Sequence, residues 1–332
     1  MNELKALKAA ILAKLTPGIR IGIASHVEPD GDGFCASLAL QILLRQMGFD
    51  SEIVIDDSDL ERFSHLMEGS EIRPWEPGLG YDLLFVLDCN SRSRLGDRAE
   101  LLARSEACIL IDHHEAENGL IAADFSFIEP AFVSVGAILW SLFSDEIRAL
   151  PDQARLAVGN CLYTTILNDT NNYANANTKA EVFRISAELT ELGIVPSRLY
   201  QQYFLNHSPR EMRYVGEVLS TIELLHSDRI LFMHSTLEML NRNRLRPDAI
   251  MNITRWVQGV KGVDALVYFR EEKVGLYKLS LRSVNYDVNK IAVRYGGGGH
   301  RQASGMHLTG SLDAIKAQIL KDLVAAFEGK DA

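Results

Sequence analysis

Residues 19–57 read IRIGIASHVEPDGDGFCASLALQILLRQMGFDSEIVIDD. The apolar run 19–25 is followed by helical spacing over 33–48, closed by Gly48, and by a return to strand character at 51–57. This order predicts a strand, a crossover helix and a second strand. Between the first strand and the helix stand His26, Asp30 and Asp32. Three titratable groups at the mouth of a buried strand are costly unless something holds them there, and a local helix cap needs only one carboxylate.

The pattern continues outward. YDLLFVLDC (81–89) and ACILIDHH (107–114) are nearly continuous apolar runs that end in polar residues, as strands of a parallel sheet covered by helices on both faces do. Ligands of open α/β sheets collect beyond the carboxyl ends of the strands. HVEPDGD, DCN and DHH all fall at such ends. Helical spacing dominates 133–147, 152–169 and 177–193, and 194–216 reads as a helical link. Then 217–234 and 263–283 look like hairpins, 288–299 like a short helix running into four glycines, and 311–329 like an amphipathic helix. The predicted organisation is a parallel-sheet α/β domain over 1–195, a helical link over 196–215 and a smaller α/β domain over 216–332.

Composition bounds the function. The chain has 332 residues, 47% of them hydrophobic and 23% charged, enough to bury two moderate cores. Its formal charge of −10 argues against a broad surface for duplex DNA, though a cleft holding metal ions can be locally positive. No run of about 18 apolar residues occurs, so no membrane span is expected. The charged, Leu/Ala/Lys-periodic residues 1–18 read as an amphipathic helix rather than a signal peptide, and a cytoplasmic protein is expected. Cys35, Cys89, Cys108 and Cys161 are scattered singly without CxxC spacing, which suits free thiols better than disulfides or a zinc site.

His26, Asp30 and Asp32 follow one predicted strand, Asp88 another, and His113 and His114 a third, while Asp169 sits after the apolar helix at 154–167. Imidazoles mixed with several carboxylates suit Mn²⁺ and related divalent ions, and the set is large enough for two. Two ions about 4 Å apart can generate a hydroxide nucleophile at neutral pH and stabilise phosphoryl oxygens. Each cluster alone has a plainer reading: a turn whose aspartates bond nearby amides for DGDG, a helix cap for Asp88, a satisfied buried imidazole for either histidine. Independent local roles do not explain why all fall at one edge.

SHVEPDGD with Ser37, LDCNSRSRL, LIDHH, ILNDTNNY and the late YGGGGHRQASG together resemble the DHH/DHHA1 phosphoesterases, nearest the NrnA-like branch of bifunctional oligoribonucleases and phosphoadenosine-phosphate phosphatases. The resemblance spans residues 15 to 325. It implies one Mn²⁺ on His26, Asp30 and Asp88 and a second on Asp32, Asp88, His113 and Asp169, with Mg²⁺ or Co²⁺ as substitutes. Asp88 would bridge them, and His114 would bond the scissile phosphate. A DHH catalytic domain, a helical link and a DHHA1 substrate-binding domain are implied, with substrate in the cleft between them, as is a homodimer. The segment AFVSVGAILWSLF with Trp140 could serve that dimer or pack under the sheet.

In the late stretch, the glycines at 296–299 make sense if backbone amides must approach an anion, and a flexible linker is the rival reading. Gly297, Gly298, Gly299 and His300, with Arg282 and Ser283, are the candidate substrate contacts. Asp59 suits an N-cap and RNRLRP (242–247) a solvated turn or a phosphate-facing patch. The family usually carries a Thr-Asp-Thr-Gly-like sequence at its fourth metal residue, whereas this chain has Asn168, Asp169, Thr170 and Asn171, which leaves the loop shape open. The expected activity is hydrolysis of very short RNA or linear dinucleotides to monophosphates, with removal of the 3′-phosphate of phosphoadenosine phosphate as a second activity. A cyclic-dinucleotide phosphodiesterase, a manganese pyrophosphatase-like enzyme and a non-catalytic nucleotide-binding regulator are the alternatives.

Overall fold

The computed structural model describes residues 2–56, 60–115, 119–246 and 253–329. The chain divides into two units, residues 1–206 and 207–332.

In the first unit, strands β1 (Ile21–Ala24), β2 (Ser51–Ile55), β3 (Ile72–Pro74), β4 (Leu83–Leu87), β5 (Ala107–Asp112) and β6 (Phe125–Ile128) form one sheet in the order 3-2-1-4-5-6. Every pairing is parallel. Parallel neighbours require crossovers, to which α2 (Gly31–Gln46) and α3 (Leu101–Arg104) belong, while α1 (Asn2–Lys14) precedes the strands and α4 (Val135–Arg148), α5 (Asp152–Asp169), α6 (Ala180–Glu191) and α7 (Pro196–Phe204) follow them. The period of two along β4 explains the continuous apolar run: Leu83, Phe85 and Leu87 join the core under α2, α4 and α5, whereas Leu84 and Val86 join a second core with Leu95, Leu101 and Ile121. The edge strands β3 and β6, three and four residues long, were too short to be expected from the sequence. Trp140 is 3% exposed, packs in the larger core and donates from Nε1 to Glu188 at 3.0 Å, so it packs under the sheet and offers no dimer surface. All four cysteines are buried free thiols.

The second unit contains α8 (Pro209–Leu219), β7 (Glu223–Leu225), β8 (Ile230–Ser235), α9 (Leu237–Asn243), β9 (Ala265–Lys273), β10 (Leu276–Ser283), α10 (Asn289–Arg294), β11 (Gly298–His300), β12 (Ala303–Thr309) and α11 (Leu312–Phe327). Its sheet runs 11-12-10-9-8-7, antiparallel except for the parallel pair β8 and β9. Both expected hairpins exist, but α9 carries the chain across so that they join in one sheet. Ile230 and Phe232 of β8 pack with α10 and α11, while Leu231 and Met233 pack with α8.

The expected link, 196–215, is not a separate element. Leu199 of α7 is buried in the first unit's core, whereas Tyr214, Val215 and Val218 of α8 are buried in the second unit's core. Amphipathic helices belong to whichever core covers their apolar stripe, and here the division falls between Asn206 and His207. Asp59 lies outside the described residues; Glu61–Leu66 after it form a 3-10 turn. Arg242 pairs with Glu217 at 3.1 Å, and Pro247 lies outside the described residues.

Candidate metal centre

The first sheet reverses its strand order between β1 and β4, the place where parallel α/β sheets open a crevice at their carboxyl ends. His26 stands just past β1, Asp88 directly past β4, His113 and His114 directly past β5, and Asp169 is the last residue of α5.

Local structure aims each group. Asp88 has φ of 57°, a left-handed conformation that Asp tolerates better than most residues, and its amide donates to the Ile111 carbonyl at 3.0 Å, so the chain leaves β4 in a sharp turn held by β5. A Cβ at Gly33 would stand 3.1 Å from Asp88 Oδ2, which accounts for a small residue in the first turn of α2. Asp30 caps α2, its Oδ1 accepting from the amides of Asp32 at 2.9 Å and Gly33 at 3.2 Å. The local-cap reading of DGDG and the ligand reading therefore coexist in one carboxylate. Asp32 points elsewhere, accepting from Val135 N at 2.7 Å and Gly136 N at 3.2 Å, so the N-terminus of α4 fixes it.

The departure from the usual fourth motif has a clean explanation. Asn171 takes the left-handed conformation, φ 48°, that glycine would supply, and Asn172 N donates to Leu167 O at 2.9 Å and Asn171 N to Asn168 O at 3.1 Å, a complete Schellman cap closing α5. Asn is the best tolerated non-glycine residue there.

His26, Asp30 and Asp88 form one trio and Asp32, His113 and Asp169 another, each with donor atoms within 4.8 Å of one another. His26 Nδ1 bonds its neighbour Val27 O at 2.8 Å, leaving Nε2 to face Asp88 Oδ2 at 3.5 Å. His113 Nε2 stands 3.1 Å from Asp169 Oδ2 and 3.5 Å from both Asp32 Oδ2 and Asp88 Oδ1. Poor alignment leaves Asp88 Oδ1, His113 Nε2 and Asp169 Oδ2 buried without a hydrogen bond. Such orphaned atoms are costly in a finished core.

The charges are unbalanced in the same sense. Burial pushes the Asp88 carboxyl up, but His113, His114 and His26 reverse this and hold it well below the usual range. Burial lowers the imidazoles, yet Asp30 and Asp88 bring His26 up to about 9, and Asp112 and Asp88 bring His114 up to about 10. Asp32 and Asp169 go the other way, raised by burial and by neighbouring carboxylates. A donor set of imidazoles and carboxylates with these orphaned atoms fits divalent ions. Metal addition to chelator-treated protein is therefore expected to raise the thermal midpoint by roughly 5–10 °C at about 100 times Kd, from about 2.7 kcal/mol of linkage. A scan with and without Mn²⁺ that shows no shift would remove the metal assignment.

Sequence reasoning passed over Asp112, the first letter of DHH. Its Oδ1 accepts from His113 N at 2.7 Å, His114 N at 3.1 Å and His114 Nδ1 at 2.9 Å, so it fixes both the turn after β5 and the tautomer of His114.

The remaining candidate contacts lie in the second unit. The glycine run closes α10 and enters β11. Gly296 has φ of 72°, a Cβ at Gly297 would stand 2.2 Å from Gly305 O, and one at Gly299 would stand 2.6 Å from Ala303 O. The close approach to β12 explains Gly297 and Gly299 and the left-handed φ explains Gly296, without a linker or a ligand; Gly298 faces open space at an ordinary φ. The hydroxyl of Ser283 donates to Asp264 O at 2.7 Å and accepts from Tyr286 N at 3.0 Å, so it shapes the loop beside Arg282. Burial and the nearby Arg255 guanidinium push the Arg282 guanidinium down from its ordinary value. Of His300 only the backbone, on β11, is described.

Fold and donor cluster define an α/β protein with a carboxylate–imidazole centre at the switch point of a parallel sheet. The sequence model of the DHH family N-terminal domain matches residues 20–166 and that of the DHHA1 domain matches residues 233–329. The chain belongs to the DHH/DHHA1 family of phosphoesterases and is a hydrolase. It is 29% identical over 306 residues to the bifunctional oligoribonuclease and PAP phosphatase NrnA of Thermus thermophilus, covering 91% of this chain and 88% of the relative. It is 22% identical over 284 residues to the protein of the same name in Bacillus subtilis, covering 84% and 86%. Among solved structures, an exopolyphosphatase-related protein from Bacteroides fragilis superposes with a TM-score of 0.83 at 22% identity, over 98% of this chain and 96% of that one, which shows the shared fold. Among the described residues no helix is long and apolar enough to cross a membrane.

Proposed function

We propose that this protein is a manganese-dependent phosphoesterase that hydrolyses very short RNA or linear dinucleotides to nucleoside monophosphates and also removes the 3′-phosphate of phosphoadenosine phosphate. The observation that carries the reading is the pair of donor trios, with His113 of the second standing 3.5 Å from Asp88 of the first and buried atoms of Asp88, His113 and Asp169 orphaned for a cation to satisfy. The relatives named oligoribonuclease and PAP phosphatase support the substrate class. His26, Asp30 and Asp88 would hold one ion and Asp32, Asp88, His113 and Asp169 the other. Divalent ions there would supply activation of water and neutralisation of phosphoryl charge.

The remaining groups of the chain bind and orient. Asp112 holds His114 through Nδ1 and keeps it charged, so that Nε2–H is the donor presented to a phosphoryl oxygen as negative charge develops. Arg282 is the candidate phosphate contact of the second unit, because a guanidinium grips phosphate at two oxygens. Gly298 and His300 are the further contacts on β11, with Gly297 and Gly299 setting its approach to β12 and Ser283 holding the loop.

The test is a product assay with Mn²⁺ and with chelator on 5′-labelled RNA dimer, cyclic dinucleotide, phosphoadenosine phosphate and pyrophosphate. Metal-dependent monophosphates from the linear dimer are expected. Turnover of the cyclic dinucleotide alone, of pyrophosphate alone, or of nothing would overturn the reading in favour of the corresponding alternative. A homodimer is part of the proposal, checked by light scattering on the eluting peak.

A further inference from the structure

The two donor trios are joined by a side chain that belongs to neither. Asn168, 9% exposed, donates from its single amide nitrogen to Asp30 Oδ2 at 3.0 Å and to Asp169 Oδ1 at 2.8 Å. Asp30 belongs to the first trio, after β1; Asp169 belongs to the second, at the end of α5. The amide cannot point the other way, because its oxygen would then face two carboxylates. It is fixed from behind as well: Tyr203 OH, in the last turn of α7, donates to Asn168 Oδ1 at 2.7 Å.

The chain leaves room for this arrangement. A Cβ at Gly31 would stand 2.4 Å from Tyr203 OH and 2.7 Å from Asn168 Cβ, so the first glycine of DGDG admits the tyrosine to the asparagine. A hydroxyl has one proton to donate and reaches one carboxylate, whereas the amide reaches both.

We infer that Asn168, oriented by Tyr203, is a positioning clamp that sets the spacing of Asp30 and Asp169 and so couples occupation of the two cation sites. The inference rests on the metal reading above. One amide proton engages Asp30 Oδ2 and the other Asp169 Oδ1, which leaves Asp30 Oδ1 and Asp169 Oδ2 on the side of His26 and His113. Removing the clamp frees the two carboxylates together, and outer hydrogen-bond partners of this kind typically alter metal affinity by about 10–100-fold.

The test is Mn²⁺ titration of chelator-treated full-length protein, read by the electron paramagnetic resonance of free Mn²⁺, with kcat and KM measured on RNA dimer. Asn168→Ala is expected to weaken both sites by about 10–100-fold, and to lower kcat at saturating RNA with KM little changed. Asn168→Thr should recover one site and not the other. Tyr203→Phe leaves the amide in place but unoriented and should weaken both sites by a smaller factor. The double variant Asn168→Ala, Tyr203→Phe should be no worse than Asn168→Ala alone, because the tyrosine acts through the asparagine. Circular dichroism in chelator confirms that each variant is folded, and Tyr203→Phe keeps the test valid should Asn168→Ala not fold. Wild-type-like isotherms in Asn168→Ala or Tyr203→Phe, with wild type binding two ions, overturn the clamp alone. A wild type that takes up no Mn²⁺ overturns the metal reading and the clamp with it.

Discussion

Asp88→Ala is expected to abolish phosphoesterase turnover, by on the order of 10⁴-fold or about 5.4 kcal/mol of transition-state stabilisation, and to strip the protein of bound divalent ion. The expectation follows from position. Asp88 is 1% exposed, faces His26 at 3.5 Å through one oxygen and His113 at 3.5 Å and His114 at 3.2 Å through the other. It is the carboxylate nearest both trios, so its loss removes a shared donor and leaves three imidazoles without their common counter-charge. Metal analysis of the purified variant and turnover of the RNA dimer are the measurements. Full activity, or two retained ions, would sink the shared-donor assignment.

His114→Ala is expected to lower turnover by roughly 10²–10³-fold, the usual cost of losing one preorganised donor to a developing oxyanion, while leaving metal content near that of the wild type. Unlike His113, whose Nε2 sits among Asp32, Asp88 and Asp169, His114 is held through Nδ1 by Asp112 at 2.9 Å. The resemblance already implies different roles for these adjacent histidines, and the structure gives them different partners. Parallel loss of metal and activity in His114→Ala would reassign it as a ligand. Asp112→Asn offers a finer check: an amide in that place releases the charge that keeps His114 protonated, so turnover should fall with metal retained.

Much of this was legible in the chain. Continuous apolar runs such as YDLLFVLDC mark buried parallel strands because both faces of each strand are covered, and a polar residue ending such a run marks the carboxyl edge where ligands gather. His26, Asp30, Asp32, Asp88, His113, His114 and Asp169 each follow a strand or close a helix that the pattern predicts, and the structure brings all seven into one cluster. The second unit was legible as hairpins and helices but not as one sheet, because the parallel pairing of β8 with β9 depends on a crossover that local periodicity does not encode.

What the sequence determined by itself was the class: the alternation and punctuation that dictate a parallel α/β sheet, and the residue types that put imidazoles and carboxylates at its edge. Local physics suffices there, since burial of a strand and the end of a helix are written in a few consecutive residues. The reasons for individual residues were decided only in three dimensions. Glycines that seemed to await an anion instead admit β12, an asparagine that seemed a departure instead supplies the left-handed cap of α5, and Asn168 and Tyr203, 35 positions apart, meet behind the carboxylates. Packing between distant segments sets the last of these contacts, and no stretch of chain short enough to read by spacing contains both Asn168 and Tyr203.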